Sequence, residues 1–148
     1  IGQYDVAASP LQMAMVAAGI ANDGVLMEPY LTKSVRAANL QTVWTHKDTP
    51  MSTPMTRESA KQLQQMMVSV VNNGTGRNAR IDGVTVGGKT GTAQTSPDKP
   101  PYAWFVGWSD KPKVAVAVFV ESSNTERSEI AGGRLGAPIA RDVIEALR

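Results

Sequence analysis

The segment Gly87-Gly88-Lys89-Thr90-Gly91-Thr92-Ala93-Gln94 sets one cation and two hydroxyls on a stretch thinned by three glycines. Val84, Val86 and Ala93 flank those glycines, so the segment reads as a strand. Glycine inside a strand costs stability and marks the close approach of another backbone or a ligand. The spacing therefore predicts a bare strand edge against which a substrate peptide could lie and pair through its main chain. Lys89 would supply fixed positive charge, while Thr90 and Thr92 would donate hydrogen bonds to a carboxylate. The chemistry is that of one wall of an active-site cleft.

A competing pattern overlaps the same residues. Gly83 through Gly88-Lys89-Thr90 satisfies the spacing of a phosphate-binding loop, Gly-x-x-x-x-Gly-Lys-Thr. That loop needs a strand before its first glycine and a helix starting at its lysine. Here the preceding residues 76–82 are polar, the intervening Val84-Thr85-Val86 favours a strand, and Gly91, Thr92 and Pro97 are poor helix formers. Nucleotide binding is rejected on this context.

Further motifs lie in a fixed order along the chain: Gly2-Gln3, Ser9-Pro10-Leu11-Gln12-Met13-Ala14, Ala21-Asn22-Asp23-Gly24, Gly74-Thr75-Gly76, residues 88–94, and Ala103-Trp104-Phe105-Val106-Gly107. With Lys89-Thr90-Gly91 among them, the chain resembles the C-terminal half of the transpeptidase domain of class B penicillin-binding proteins. The tail Ala137-Pro138-Ile139-Ala140-Arg141 is most similar to an actinobacterial branch of that family. The resemblance implies an α+β fold and residues 1–148 as the C-terminal portion of one domain. The function it implies is cross-linking of peptidoglycan stem peptides ending in D-Ala-D-Ala through a serine acyl-enzyme, with acylation by β-lactams. It implies no cofactor. It also implies an extracytoplasmic location at the bacterial plasma membrane, an anchor upstream, and a membrane glycan polymerase as a possible partner.

Acyl transfer of this kind needs a serine nucleophile, a group to take its proton, an oxyanion hole and a carboxylate anchor. By resemblance, Lys89 would set the electrostatics, Thr90, Gly91 and Thr92 would bind substrate, and the Thr92 backbone N–H would complete the oxyanion hole. The family's Ser-x-x-Lys and Ser-x-Asn motifs should precede these residues, and here they do not. Ser96-Pro97-Asp98-Lys99 and Ser122-Ser123-Asn124 mimic them, but both follow Lys89. Pro100-Pro101 also breaks the helix that the first would need. The chain alone is therefore expected to be inactive, the nucleophile lying in a missing N-terminal half. A β-lactam-sensing receptor domain and a β-lactamase or D,D-carboxypeptidase are the alternatives within the same chemistry.

The elements that must position the segment are legible from pattern. Ser9 caps a helix with Pro10 at its first position and Gln12 closing a capping box; Leu11, Ala14, Met15 and Ala18 form its apolar face, and Asn22-Asp23-Gly24 stops it. Residues 25–27, 31–36 and 41–45 are β-prone and should form a small peripheral sheet or hairpin. Thr56 caps a second helix carrying Leu63, Met66, Met67, Val70 and Val71, ended by Asn72-Asn73-Gly74. Strands follow at 102–109 and 113–120, joined by a turn at Asp110-Lys111-Pro112. Connections this short demand an antiparallel meander with the Lys89 strand. Residues 114–120 are apolar throughout and are expected to be buried on both faces under helices. Trp104 and Trp108 share one face of their strand and read as packing residues. Residues 133–147 should form a last helix lying on the sheet through Leu135, Ile139, Val143 and Leu147.

Composition narrows the function. At 148 residues the chain could bury a sizeable core, and its 15 basic and 13 acidic residues are scattered, which gives nucleic-acid binding little support. It lacks cysteine, and its single histidine, His46, has no second ligand at metal spacing, so no metal is expected and His46 reads as an exposed loop residue. No apolar run approaches a membrane span, and the chain begins at Ile1 without a methionine, as a piece of a longer protein would.

Overall fold

The computed structural model describes residues 6–94, 96 and 98–148. The Gly2-Gln3 motif therefore lies outside the described residues, as do Thr95 and Pro97.

Helix α1 spans Pro10–Ala21, and its start is a complete capping box. The Ser9 hydroxyl accepts from Gln12 N at 3.2 Å, and the Gln12 side chain accepts from Ser9 N at 2.7 Å. Its buried residues are Ala17, Gly19 and Ile20, whereas Leu11 is exposed. Of the expected face, Ala14, Met15 and Ala18 are only half-buried, and the most buried positions lie beside it. The helix is apolar almost all round, so periodicity could not single out a face and the contact with the sheet chose it.

Strands β1 (Leu26–Met27) and β4 (Pro50–Ser52) pair antiparallel, as do β2 (Ser34–Arg36) and β3 (Thr42–Thr45). The peripheral β structure is therefore two separate ribbons. Strand β4 falls in the Thr- and Pro-rich segment after His46, where Pro50 at its first position hid it. His46 is also corrected, being half-buried and not freely exposed. Its ring stacks on Tyr30 at a centroid distance of 3.6 Å.

Helix α2 spans Arg57–Asn73, with the Thr56 hydroxyl accepting from Ser59 N and Gly74 as C-cap. It is tied to the end of α1. Arg57 donates to Asp23 at 2.7 Å, and Gln64 Nε2 donates to the Ile20 carbonyl at 2.7 Å. The hydrogen bond from Arg57 holds the Asp23 carboxyl below its ordinary value.

The central sheet runs β5 (Val86–Ala93), β6 (Tyr102–Asp110), β7 (Lys113–Val120), all antiparallel and in that spatial order. The meander read from connection length is present, with β5 and β7 as edges. Phe105 and Trp108 point to opposite faces of β6. Phe105, Val116 and Val118 pack with Val71 of α2 and with Ala137, Ala140 and Ile144 of α3, which spans Ala137–Ala146. Trp108 packs with Ile20 of α1 and Met67 of α2 on the other face. Met67 and Val71 stand one helical turn apart, so α2 reaches both clusters from a single stripe. Helices thus cover both faces, as expected, but β7 is not buried on both. Val116 and Val118 are, while Phe119 on the opposite pleat is 37% exposed.

The last helix is preceded by one wide π turn, Gly132–Gly136. The stripe expected to meet the sheet is displaced: Ile139, Val143 and Leu147 are exposed, and the smaller Ala137 and Ala140 lie buried with Ile144. Close approach to Phe105 favours small residues. A Cβ at Gly136 would sit 2.9 Å from Phe105 Cβ.

Candidate active site

The glycines of β5 do two different jobs. A side chain at Gly88 would collide with the tip of the Phe105 ring, and one at Gly87 would lie 2.6 Å from Trp108 Cζ2. Both positions are filled by aromatic rings of the neighbouring strand. The expectation that these two glycines bare the strand for a ligand is therefore corrected: rings reaching across the sheet occupy that space. Burial divides β5 accordingly, with residues 86–88 buried and Lys89 and Thr92 exposed.

The open half carries the charged and hydroxyl side chains. Strand pleating places Thr90 and Thr92 on the Phe105 face and Lys89 on the Trp108 face, so cation and hydroxyls flank a strand edge that no other described strand pairs with. Lys89 Nζ folds along that edge and donates to the Thr90 carbonyl at 2.6 Å. Among the described residues no carboxylate pairs with it. The two carboxylates with lowered pKa values lie elsewhere. Asp23 sits at the α1–α2 junction, and Asp110 at the far end of the β5–β6 ladder. Burial pushes the Asp110 carboxyl up, but hydrogen bonds from Thr85 and the charge of Lys111 outweigh it and leave the group below its ordinary value.

Two segments that the sequence left outside the site are brought to Thr90. The loop after α2 places Thr75 Oγ1 at 2.7 Å from Thr90 Oγ1. The π turn lays Gly132 and Gly133 against the strand: a Cβ at Gly132 would sit 2.9 Å from Gly91 N, and one at Gly133 would strike the Thr75 carbonyl and reach Thr90 Cγ2 at 3.4 Å. Asn78 Nδ2 donates to the Gly133 carbonyl at 2.8 Å and joins loop to turn. The signals were present in the sequence as Gly74-Thr75-Gly76 and Gly132-Gly133, but neither states its spatial partner.

The rejected motifs stay rejected. Lys89 lies in the middle of a strand that continues to Ala93, which is no place for the helix start that a phosphate loop needs. Lys99 N donates to the Ser96 carbonyl at 3.3 Å, and the described residues 96, 98 and 99 are not helical. Ser122 follows the end of β7, with β6 lying between β7 and β5.

Strand β5 is thus an edge strand with an ammonium, two hydroxyls and a glycine-thinned backbone, on an antiparallel sheet covered by helices. Residues 1–145 match the penicillin-binding protein transpeptidase domain, and the chain belongs to that family. It is 42% identical over 99% of its length to the peptidoglycan D,D-transpeptidase PbpA of Mycolicibacterium smegmatis and 40% identical to that of Mycobacterium tuberculosis, in each case spanning 30% of the relative. Among solved structures it matches penicillin-binding protein A of M. tuberculosis as a ceftriaxone acyl-enzyme complex, at TM-score 0.89 and 39% identity, covering 99% of this chain and 34% of that one. The penicillin G acyl-enzyme of the same protein matches at TM-score 0.84 and 40% identity, over 100% of this chain and 34% of that one.

Proposed function

We propose that this chain is the C-terminal portion of a D,D-transpeptidase domain and forms the wall that binds the substrate carboxylate. The observation that carries this is the open half of β5, where an ammonium without a carboxylate partner among the described residues and two hydroxyls line an edge that no other described strand pairs with. A D-Ala-D-Ala stem peptide, or a β-lactam in its place, would lie along that edge. Its carboxylate would take hydrogen bonds from Thr90 and Thr92, in the field of Lys89. In a strand the N–H and C=O of one residue point to the same side, and so do those of the residue two further on. The Thr90 carbonyl is free to accept from Lys89, which supports an outward Thr92 N–H as one donor of the oxyanion hole.

The nucleophilic serine and its proton acceptor would come from the rest of the protein. The exposed stripe Ile139, Val143 and Leu147 on α3 and the edge of β7, unpaired among the described residues, support a remainder of the domain packing there. Acting on peptidoglycan, the protein would work at the extracytoplasmic face of the plasma membrane, anchored upstream and supplied with glycan strands by a membrane polymerase. The mycobacterial relatives are named peptidoglycan D,D-transpeptidases, which supports the action on peptidoglycan. Lys89→Ala in the complete protein should slow acylation by a fluorescent penicillin by about 10- to 100-fold, the range for loss of a charged hydrogen bond. Acylation at the unaltered rate would remove Lys89 from the site.

A further inference from the structure

We infer that Thr75 is a positioning residue that sets the direction of the Thr90 hydroxyl proton, held in place by Asn78 through Gly133; this rests on the carboxylate-binding role proposed for Thr90. A threonine hydroxyl has one hydrogen and two acceptor lone pairs. With Thr75 Oγ1 and Thr90 Oγ1 at 2.7 Å, one of the two must donate to the other. A carboxylate docked on Thr90 can only accept, so it takes the Thr90 hydrogen and Thr75 must then be the donor. The pair then reads Thr75 O–H to Thr90 Oγ1, and Thr90 O–H to carboxylate. Removing the Thr75 hydroxyl leaves Thr90 free to rotate and to spend its hydrogen elsewhere.

The surroundings are built to hold Thr75 there. Gly74 N and Gly76 N both donate to the Val70 carbonyl, at 3.1 and 3.0 Å, which folds the loop back onto the end of α2. Arg77 Nε donates to the Gly74 carbonyl at 3.2 Å. On the other side, Gly133 touches the Thr75 main chain so closely that no side chain fits, and its carbonyl is fixed by Asn78 at 2.8 Å. Thr75 itself remains exposed, so its hydroxyl borders the space a ligand would enter.

The test uses the complete protein and two probes, a penicillin and its methyl ester, which lacks the negative charge. Thr75→Val keeps shape and removes the hydroxyl; Thr75→Ser restores it. Thr75→Val should slow acylation by the free acid about three- to tenfold, the scale of one neutral hydrogen bond, and leave the slower reaction with the ester unchanged. Thr75→Ser should restore the acid reaction, and Asn78→Ala should reproduce part of the loss with the same selectivity. Equal slowing of acid and ester would mean a merely structural role and overturn the inference, as would no slowing of either. If Thr75→Val does not fold, Thr75→Ser and Asn78→Ala still decide through the acid-to-ester ratio. A complete wild-type protein that penicillin does not acylate would remove the functional assignment and the role of Thr75 with it. Acylation of the wild type with an unaltered ratio in the variants would remove the role of Thr75 alone.

Discussion

Gly88→Ala separates two explanations of the glycines in β5. The added Cβ would collide with the Phe105 ring tip and stand 2.8 Å from Cε2, where ordinary contact begins at 3.4 Å. Phe105 is fully buried and packed with Val71 of α2 and Ile144 of α3, so the ring has no empty direction in which to swing. Overpacking a rigid core costs about 1–3 kcal/mol, and a fixed aromatic ring belongs near the top of that range. Replacing glycine in a strand returns about 0.5–1 kcal/mol, which leaves a net loss of about 2 kcal/mol. For a domain larger than this chain, that lowers the melting temperature by about 4–8 °C. The assay is calorimetric melting of the complete protein, with Phe105→Leu as the second arm of a double-mutant cycle. The shorter side chain should relieve the clash, so the double variant should be more stable than the sum of the singles by about 1 kcal/mol or more. An unshifted melting temperature together with lost acylation would refute the packing explanation and return Gly88 to a ligand-contacting role.

Two further outcomes follow from the fold. Ile144→Ala should cost about 2–5 kcal/mol as a fully buried truncation, measured by denaturant unfolding; a loss below about 0.5 kcal/mol would contradict the assigned face of α3. Because the folded pKa of Asp110 is lowered, its contribution to stability should be complete above the ordinary value of 3.8 and disappear as pH falls through the lower folded value. Asp110→Ala should therefore flatten the melting temperature over that acidic window, and an unaltered pH profile would remove the carboxylate from the account.

The parts of the fold legible in sequence are those fixed locally. Ser9 with Gln12, Thr56 with its amphipathic run, and the short links around β6 each specify a cap or a turn without help from distant residues. Which face of a helix packs is a tertiary choice. On α1 nearly every position is apolar, and on α3 the larger Ile139, Val143 and Leu147 outweighed Ala137 and Ala140 in the pattern although it is the two alanines, with Ile144, that pack on the sheet. The site shows the same division. Lys89, Thr90, Gly91 and Thr92 sit on one segment and could be read together, whereas Thr75, Asn78 and Gly133 reach them only through folding. Gly87 and Gly88 signalled close approach correctly but not by what, since the rings of Phe105 and Trp108 lie 17 and 21 residues further along the chain.

The most direct measurement of the central claim is mass spectrometry of the complete protein after reaction with penicillin, followed by peptide mapping of the adduct. The expected result is a single penicilloyl group on a serine outside residues 1–148, lost or strongly slowed in Lys89→Ala. An adduct on Ser96 or Ser122 would contradict it, because the nucleophile would then belong to the chain assigned only the carboxylate-binding wall.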